Sequence, residues 1–182
     1  MTKEEARTVK EYFPLIRRIK DKGLREKVTE TWVRIWKESG YSDLREAPFS
    51  PYPQDANENL VRHTNTTTKL ALVAAEQFQD EYEINIDFDI LLASAILHDL
   101  DKAVIYQKKG NEVVFSELGN KIPHGAYGMH IALEMGLPLE VAHVIVTHSN
   151  LITMEPNTVE GVLAMKAEHV KLGARRTAVA QL

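Results

Sequence analysis

Residues 90–99 read ILLASAILHD, and this stretch decides the fold. Its first eight residues are apolar or small on every side of a helix, which predicts a helix that is buried all round. His98 and Asp99 close the run, and an imidazole and a carboxylate are costly to bury unless other groups satisfy them. A divalent metal would do so, because neutral histidine nitrogen and ionised aspartate oxygen are good ligands. The stretch therefore predicts a metal site where a buried helix ends.

Other candidate ligands are widely spaced along the chain: His63, His124, His148 and an acidic residue near position 168. Each of these histidines belongs to a different predicted segment and lies at or near a helix end, so together with His98 they could converge at one end of a bundle. A lone histidine on an apolar helix is more typical of a hydrogen-bonded core residue, so the hypothesis depends on the whole set and its order. His130 and His143 fit that core role better than a role as ligands.

The composition limits the chemistry that is available. The chain has 182 residues, of which 44% are hydrophobic and 26% charged, and this is typical of one ordinary globular domain. It contains no cysteine, which excludes disulfides, zinc fingers and thiol catalysis. Any metal must then be held by nitrogen and oxygen, which favours manganese, iron, magnesium, cobalt, nickel or a catalytic zinc. With neither a signal-type segment at the N-terminus nor a run of about 20 apolar residues, we expect a cytoplasmic protein without a membrane span.

The net charge of -4 is unevenly distributed. Residues 1–37 hold 11 basic and 6 acidic side chains, a balance of +5, which leaves -9 for the rest. An excess of basic side chains, as in residues 1–37, is typical of solvated amphipathic helices, although it would also suit binding to an anionic substrate or to the acidic face of a partner. Basic and aromatic residues are not interleaved as in a recognisable nucleic-acid-binding module, so binding to long duplexes is disfavoured. Whether the chain forms a homo-oligomer stays open, since Trp32 and Trp36 could pack against a partner chain as well as against the bundle.

Apolar residues at helical spacing predict an all-α fold. The predicted helices cover residues 3–21 with a break at Pro14, 23–39 ended by Gly40, 58–80, 88–99 capped by Asp87, 123–133, 138–148 and 157–172. In the third of these, Leu70, Val73, Ala74 and Phe78 carry the helical spacing.

Two segments interrupt the helical pattern. Three prolines between residues 48 and 53 predict a loop over residues 41–57. Residues 103–122 hold two β-prone pieces, VIY and EVVF, on either side of KKGN, which predicts a hairpin or an irregular insertion. We therefore expect an N-terminal helical arm and proline-rich loop over residues 1–55 and a metal-binding helical domain over residues 56–182, in one compact unit.

These motifs resemble the HD-domain superfamily of metal-dependent phosphohydrolases. That family has a histidine, a His-Asp pair, often two further histidines and a final aspartate, all on separate helices. Here the first histidine is His63 in VRHTNTTTKLA, and the pair lies in ILHDLDK, where Lys102 completes the HD-x-x-K form. His124 in PHGAYG and His148 in IVTHS look like the two inserted histidines. The resemblance covers about residues 58–172 and implies an HD-like helical bundle.

The chain departs from the family pattern at the final aspartate. The matching stretch, AMKAEHV, offers Glu168, whose side chain is longer by one methylene. His169 beside it is a rival ligand, and a vacant position with a weakened site is a third interpretation.

The resemblance implies a role for each candidate residue. Asp99 would bridge two metals, of which one is completed by His63, His98 and Glu168 and the other by His124 and His148. The implied reaction is hydrolysis of a small phosphoester by a metal-activated water, the substrate being a nucleotide, a cyclic nucleotide or a phosphorylated metabolite. Lys102 would neutralise charge on the phosphoryl oxygens, although it equally suits a surface lysine paired with Asp101. Arg62 is a further candidate for binding the substrate.

Two other functions stay open at this point. The same ligands would suit a di-iron oxygenase of this fold, which uses dioxygen. Glu168, as a departure from the family pattern, would also suit a non-catalytic metal-binding or regulatory module.

Overall fold

The computed structural model describes residues 1–52, 55, 58–149 and 153–180, apart from the side chain of residue 179. Its α-helices are α1 (Lys3–Tyr12), α2 (Lys22–Ser39), α3 (Leu60–Tyr82), α4 (Phe88–Leu97), α5 (Lys102–Ile105), α6 (Glu117–Lys121), α7 (Ala126–Glu134), α8 (Leu139–Thr147) and α9 (Val159–Ala180). Two antiparallel strands, β1 (Tyr106–Lys109) and β2 (Glu112–Phe115), form a hairpin. The all-α fold class that the sequence predicts is confirmed.

Helix α4 lies at the centre of the molecule. It contacts α2, α3, α8 and α9, and every residue from Leu91 to Leu97 is buried. Asp87 caps its N-terminus, since the Asp87 side chain accepts hydrogen bonds from the backbone N–H groups of Asp89 and Ile90. The predicted burial of this helix on all sides is therefore present, and His98 follows its last turn.

The N-terminal helices share one hydrophobic core with α4. Trp32 of α2 is fully buried, stacks on Phe13 at 4.3 Å between ring centroids, and donates Nε1–H to the Ile96 carbonyl at 3.2 Å. Trp32 thus faces the bundle rather than solvent. As predicted, α1 ends before Pro14 and α2 ends at Gly40, whose φ of +72° favours glycine.

The hairpin corrects one predicted boundary. Lys109 pairs with Glu112, which leaves Gly110 in the turn with a φ of +63°. The VIY piece is only partly a strand, because the backbone N–H groups of Val104 and Ile105 both donate to the Asp101 carbonyl, at 2.9 Å each. This short helical turn continues the chain from the His-Asp pair, and the strand begins at Tyr106.

Helix α3 has two apolar faces, and the structure buries the one with the smaller side chains. Its inward residues include Thr67, Ala71 and Ala75, whereas Val73 and Phe78 of the predicted stripe are exposed. Small side chains allow α3 to pack closely against α4 and α9. The periodicity thus predicts the helix correctly but does not tell which of the two faces is buried.

Candidate metal centre

The structure brings the six predicted ligand residues together in the interior of the bundle. His63 lies in the first turn of α3, His98 and Asp99 follow α4, His124 precedes α7, His148 follows α8, and Glu168 lies within α9. All six are buried. Five different segments of the chain therefore contribute to one cluster.

The cluster has two halves that share one carboxylate. The first half-site consists of His63, His98, Asp99 and Glu168, and the second of Asp99, His124 and His148. Within each half-site the candidate ligand atoms lie within 4.8 Å of one another. This is the partition that the family resemblance implies.

Asp99 links the two halves through its two oxygens. Its Oδ2 lies 3.0 Å from His63 Nε2 and 3.3 Å from His98 Nε2. Its Oδ1 lies 2.9 Å from His124 Nε2 and 3.2 Å from His148 Nε2. Consecutive residues of a regular helix diverge by about 100°, but here the chain turns directly after α4, with the Lys102 N–H bonded to the Asp99 carbonyl at 3.0 Å.

The outer nitrogens of two histidines fix the direction of their lone pairs. His98 Nδ1 lies 2.8 Å from the Ala95 carbonyl and His148 Nδ1 lies 2.9 Å from the Ile145 carbonyl. A carbonyl only accepts, so each Nδ1 carries the hydrogen and each Nε2 presents a lone pair to the centre. His148 Nε2 then faces Asp99 Oδ1 at 3.2 Å, acceptor against acceptor. A cation between these two atoms would attract both lone pairs and would offset their mutual repulsion. The set of donor atoms therefore fits a metal.

In the absence of a cation, protons take its place. Burial alone would lower the pKa of His98, but the Asp99 carboxylate outweighs burial and raises it. In the same way burial is outweighed by Asp101, which helps to raise the pKa of His124 to about 9. His63 differs, because burial dominates and lowers its pKa to about 3, which keeps that imidazole neutral. Burial also opposes the charge of Asp99, but Lys102 and His98 hold the pKa of this carboxyl well below its usual range.

Glu168 spans the two half-sites. Its Oε1 lies 3.7 Å from His63 Nε2 and its Oε2 lies 3.9 Å from His148 Nε2. Burial and Asp99 both raise the pKa of Glu168, but His148, His98 and Lys102 outweigh them and lower it. The side chain is therefore an ionised carboxylate that faces the centre. The rival residue His169 belongs to neither half-site.

Asp101 orients His124 from outside the second half-site. It is fully buried, and its Oδ1 lies 2.7 Å from His124 Nδ1. Its Oδ2 accepts hydrogen bonds from the backbone N–H groups of Gly125 at 2.8 Å and Gly128 at 3.2 Å. The backbone at Gly125 favours glycine, because its φ is +88° and a Cβ there would lie 2.7 Å from the Ile145 carbonyl oxygen, whereas a Cβ on Gly128 would only require the Ile145 side chain, 2.9 Å away, to shift. Asp101 is thus neither exposed nor paired with Lys102.

Lys171 and Phe49 hold His63 in the first half-site. Lys171 Nζ lies 2.7 Å from His63 Nδ1 and donates to Glu58 Oε2 at 2.9 Å, while the Phe49 ring stacks on the imidazole at 3.8 Å. An ammonium here would donate to Nδ1, whereas a neutral amine would accept Nδ1–H and leave Nε2 free for a metal. Burial lowers the pKa of Lys171, and the Glu58 carboxylate opposes this shift.

Sequence reasoning missed Lys171, Glu58 and Phe49. Glu58 and Lys171 are 113 residues apart, so no local spacing could connect them. The one available signal was position in the chain: Phe49 lies in the proline-rich loop, and Glu58 follows this loop directly, shortly before His63.

Lys102 is buried beside the shared carboxylate. Its Nζ donates to Asp99 Oδ2 at 2.8 Å and lies 4.1 Å from the centre of the Phe49 ring. The interpretation of Lys102 as a surface lysine paired with Asp101 is therefore wrong. Its role towards a substrate stays a prediction.

A cavity of about 160 Å³ leads to the centre. Lys102, His124 and Glu168 line it, together with Tyr52, Tyr106, His169 and Arg176 among others. Arg62 is not among these lining residues: its side chain is 73% exposed and lies 3.7 Å from Glu58. The structure thus places Arg62, a predicted substrate ligand, outside this cavity.

The remaining singled-out histidines lie elsewhere. His130 is exposed and lies 3.5 Å from Glu134. His143 accepts a hydrogen bond from the Asn157 N–H at 3.2 Å. Neither belongs to either half-site.

Comparison with known proteins identifies the family. The HD domain family model matches residues 60–174, which includes all six candidate ligands. The chain belongs to the HD domain family. The predicted resemblance to this superfamily of metal-dependent phosphohydrolases is thereby confirmed.

Two kinds of HD domain relatives are similar to this chain. One is ribonuclease Y of Acidothermus cellulolyticus, 30% identical over 128 residues, which are 69% of this chain and 22% of that protein. The other is the dihydroneopterin 2′,3′-cyclic phosphate phosphodiesterase of Methanocaldococcus jannaschii, 27% identical over 163 residues, which are 85% of this chain and 65% of that enzyme. The chain therefore spans about a fifth of the ribonuclease and just under two thirds of the phosphodiesterase. No solved structure matches the chain.

The helices carry no membrane-spanning segment in the part of the chain that the structure describes. None of them combines the length and the apolar character that crossing a bilayer requires.

Proposed function

We propose that this protein is a metal-dependent phosphohydrolase that cleaves a small phosphoester. The observation that carries this proposal is the pair of ligand clusters that share Asp99, beside a cavity that Lys102 lines. Membership of the HD domain family supports the same reaction class.

The donor set suits two divalent cations. His63, His98, Asp99 and Glu168 would hold one, and Asp99, His124 and His148 the other. Imidazole-rich sites suit iron, cobalt, nickel or zinc, and the carboxylates also suit manganese, whereas magnesium prefers oxygen ligands alone. When bound, such a cation polarises phosphoryl oxygen and lowers the pKa of coordinated water towards 7.

The residues around the centre would bind and orient the phosphoryl group. Lys102 would place its ammonium against a phosphoryl oxygen, since it already lies 2.8 Å from Asp99 Oδ2 and lines the cavity. Phe49 and Tyr106 line the same cavity and would limit the access of bulk water. Drug-sized ligands occupy about 300–1,000 Å³, so a cavity of about 160 Å³ suits a phosphoryl group rather than a whole nucleotide. The rest of the substrate would lie at the rim, near Tyr52 and Arg176.

Cyclic phosphodiesters are the first substrates to test. The relative that covers 85% of this chain is a 2′,3′-cyclic phosphate phosphodiesterase. A five-membered cyclic phosphate is compact, which agrees with the small volume of the cavity. We propose this class ahead of long RNA, because a cavity of about 160 Å³ suits a compact phosphoryl group.

The test is metal removal and reconstitution followed by a substrate panel. The protein is stripped with a chelator, verified by elemental analysis, and reloaded separately with manganese, iron, cobalt, nickel, zinc or magnesium. Each form is assayed with 2′,3′- and 3′,5′-cyclic nucleotides, dihydroneopterin 2′,3′-cyclic phosphate, nucleoside monophosphates and phosphorylated sugars. We expect hydrolysis by at least one reloaded form, none by the stripped form, and none by Asp99→Asn under the same conditions.

Three outcomes would contradict the proposal. Equal hydrolysis by the verified metal-free protein would exclude the mechanism. Less than one metal per chain after reloading would favour a non-catalytic module. Consumption of dioxygen by the iron form with an unhydrolysed product would favour the oxygenase.

A further inference from the structure

A second cavity, of about 760 Å³, lies between α3 and α9 and shares no lining residue with the cavity at the metal centre. Its walls include Leu70, Val73 and Phe78 from α3 and Val162 and Val170 from α9. We call this surface the α3–α9 face. It is apolar, and the catalytic proposal does not use it.

Each helix contributes a mainly apolar stripe to this face, interrupted by Gln77 on α3 and Lys166 on α9. On α3 the lining residues follow the helical spacing i, i+3, i+4, i+7 and i+8 from Leu70 to Phe78. On α9 they follow the same kind of spacing from Val159 to Val170. Both helices also pack a buried face in the core, which includes Ala75 of α3, and on α9 the two faces meet at Leu163 and Ala167. The sequence therefore supplies each helix with a second apolar face that the described core does not cover.

The exposure on this face is larger than single surface residues explain. Val73 is 58% exposed and Val170 is 63% exposed, and Phe78 is also exposed. Contiguous exposed apolar patches larger than a few hundred Å² usually mark an interaction site in a soluble protein.

We propose that the α3–α9 face joins two copies of this chain in a homodimer. The outer surfaces of α3 and α9, helices of 23 and 22 residues, are each about 33 Å long and about 10 Å wide, so side by side they present on the order of 700 Å². The α3–α9 face, from Leu70 to Phe78 and from Val159 to Val170, covers about half of this surface. A stable dimer buries about 800 Å² per partner. The face would thus form the apolar core of a symmetric interface, with the surrounding surface of the two helices as its rim.

The charge on this face also favours a second copy. Lys166 is the one charged side chain among the described residues that line the cavity. A two-fold interface brings the same patch against itself, so a charged patch would meet like charges. The core of a homodimer interface is accordingly apolar and poor in charged residues. A partner bound mainly through charge would instead need a charged face here.

The test is the mass of the protein in solution, measured by light scattering over a wide range of concentration. We expect twice the chain mass of 20.6 kDa for the natural protein. Val73→Glu on α3 and Val170→Glu on α9 should each yield a monomer, because the dimer would bury an unpaired carboxylate, and should raise the dissociation constant by about 100-fold or more. The matched control is Leu139→Glu on α8, which is 70% exposed, lies outside the face, and should leave the dimer intact. Circular dichroism checks that each variant stays folded.

A second measurement maps the contact directly. Since the chain contains no cysteine, Val73→Cys or Val162→Cys introduces a unique thiol for a short bis-maleimide cross-linker, with Leu139→Cys as control. We expect cross-linked pairs from at least one position on the face and none from position 139. A natural protein of single-chain mass would overturn the proposal, even if the face bound an apolar ligand or a helical peptide. A dimer that persists in both glutamate variants, or that cross-links at neither position on the face, would overturn it as well.

Discussion

The two half-sites of the metal centre differ in what holds their histidines from outside. In the second half-site Asp101 orients His124, and its carboxylate is itself held by two backbone N–H groups. In the first half-site His63 is held by Lys171, a long side chain that depends on Glu58 beside the proline-rich loop. The second half-site is thus supported by a short carboxylate that backbone N–H groups hold in place, and the first by a long lysine side chain that depends on Glu58.

From this difference we expect the two half-sites to bind their cations with different affinities. Outer hydrogen-bond partners fix the direction of a ligand before the metal arrives, and their loss typically lowers metal affinity by 10- to 100-fold. A lysine stem loses more side-chain freedom when it is ordered than a short aspartate does. We therefore expect the second half-site to bind its cation more tightly and the first to exchange its cation more readily.

Removing the shared carboxylate should weaken metal binding in both half-sites, so that their difference in affinity disappears. Asp99→Asn keeps the shape of the side chain but removes the charge between four imidazoles and Lys102. We expect the hydrolysis rate to fall by about 1,000-fold or more, with less than one tightly bound metal per chain by elemental analysis. The exposed His130→Ala is the control and should keep both metals. Two tightly bound metals in Asp99→Asn would contradict the bridging role.

Changing the pH should reveal the protons that the metal ligands of both half-sites must release. The pKa of His124 is raised to about 9, so below that pH a proton occupies the second half-site, and the affinity for metal should increase as the pH rises towards 9. In the first half-site the pKa of His63 is about 3, so this imidazole is already free at neutral pH, whereas Asp99 outweighs burial and raises the pKa of His98, which must also release a proton. Each displaced proton should change the affinity by about tenfold per pH unit. Calorimetric metal titration in buffers of different ionisation enthalpy measures the protons released, and affinity that is independent of pH between 7 and 9 would contradict this assignment.

Asp101→Asn should weaken the second half-site alone. An asparagine amide cannot accept from His124 and from two backbone N–H groups as a carboxylate does. We expect a 10- to 100-fold loss of affinity for one of the two cations, with the other unchanged. Two-step calorimetric titration with cobalt measures both constants, and an equal loss in both steps would contradict the separation.

Lys171→Met is the matched substitution in the first half-site. Methionine keeps the length of the side chain but not its contact with His63 Nδ1, and Arg175, 3.4 Å away, still supports Glu58. We expect about a tenfold loss of affinity, confined to the cation that Asp101→Asn leaves unchanged. Loss at the same cation in both variants would show that the two half-sites are not independent.

Of these substitutions, Glu168→Asp should change metal binding and the hydrolysis rate the least. The substitution restores the family's aspartate but withdraws the carboxylate by about 1.5 Å, away from imidazoles that lie 3.7 and 3.9 Å from its oxygens. We expect the metal stoichiometry to stay at two and the hydrolysis rate to fall by several-fold, because the position of the backbone suits the longer side chain. Glu168→Gln is the control and should weaken binding more, and a gain in rate for Glu168→Asp would contradict this argument.

Much of the fold could be predicted from local patterns. The buried run ending at His98, the break at Pro14 and the cap at Asp87 each depend on neighbouring residues, and the structure has all three. The outward stripe of α3 was harder to interpret, because Val73 and Phe78 have the same helical spacing as a core face. Only the packing of small residues against α4 and α9 decided which face lies inward.

In the candidate site, too, some features could be predicted from the sequence and others depend on tertiary packing. His63, His98, Asp99, His124 and His148 could be identified from residue type and order, and Glu168 from its place in the family pattern. The contacts of Lys171 with Glu58 and His63 could not, since they join residues 113 and 108 positions apart. In the sequence Asp101 was considered as a partner of Lys102, and its three actual contacts depend on how the start of α7 packs against the turn after α4.

The sequence by itself determined the class of helical fold and the kind of ligand atoms, because helical periodicity and side-chain chemistry are properties of residues and their near neighbours. Only the tertiary structure decided how six ligands divide into two half-sites, what supports each half-site, and which apolar face of α3 stays exposed. These features depend on distances between residues far apart in the chain, and such distances exist only once the helices have packed together.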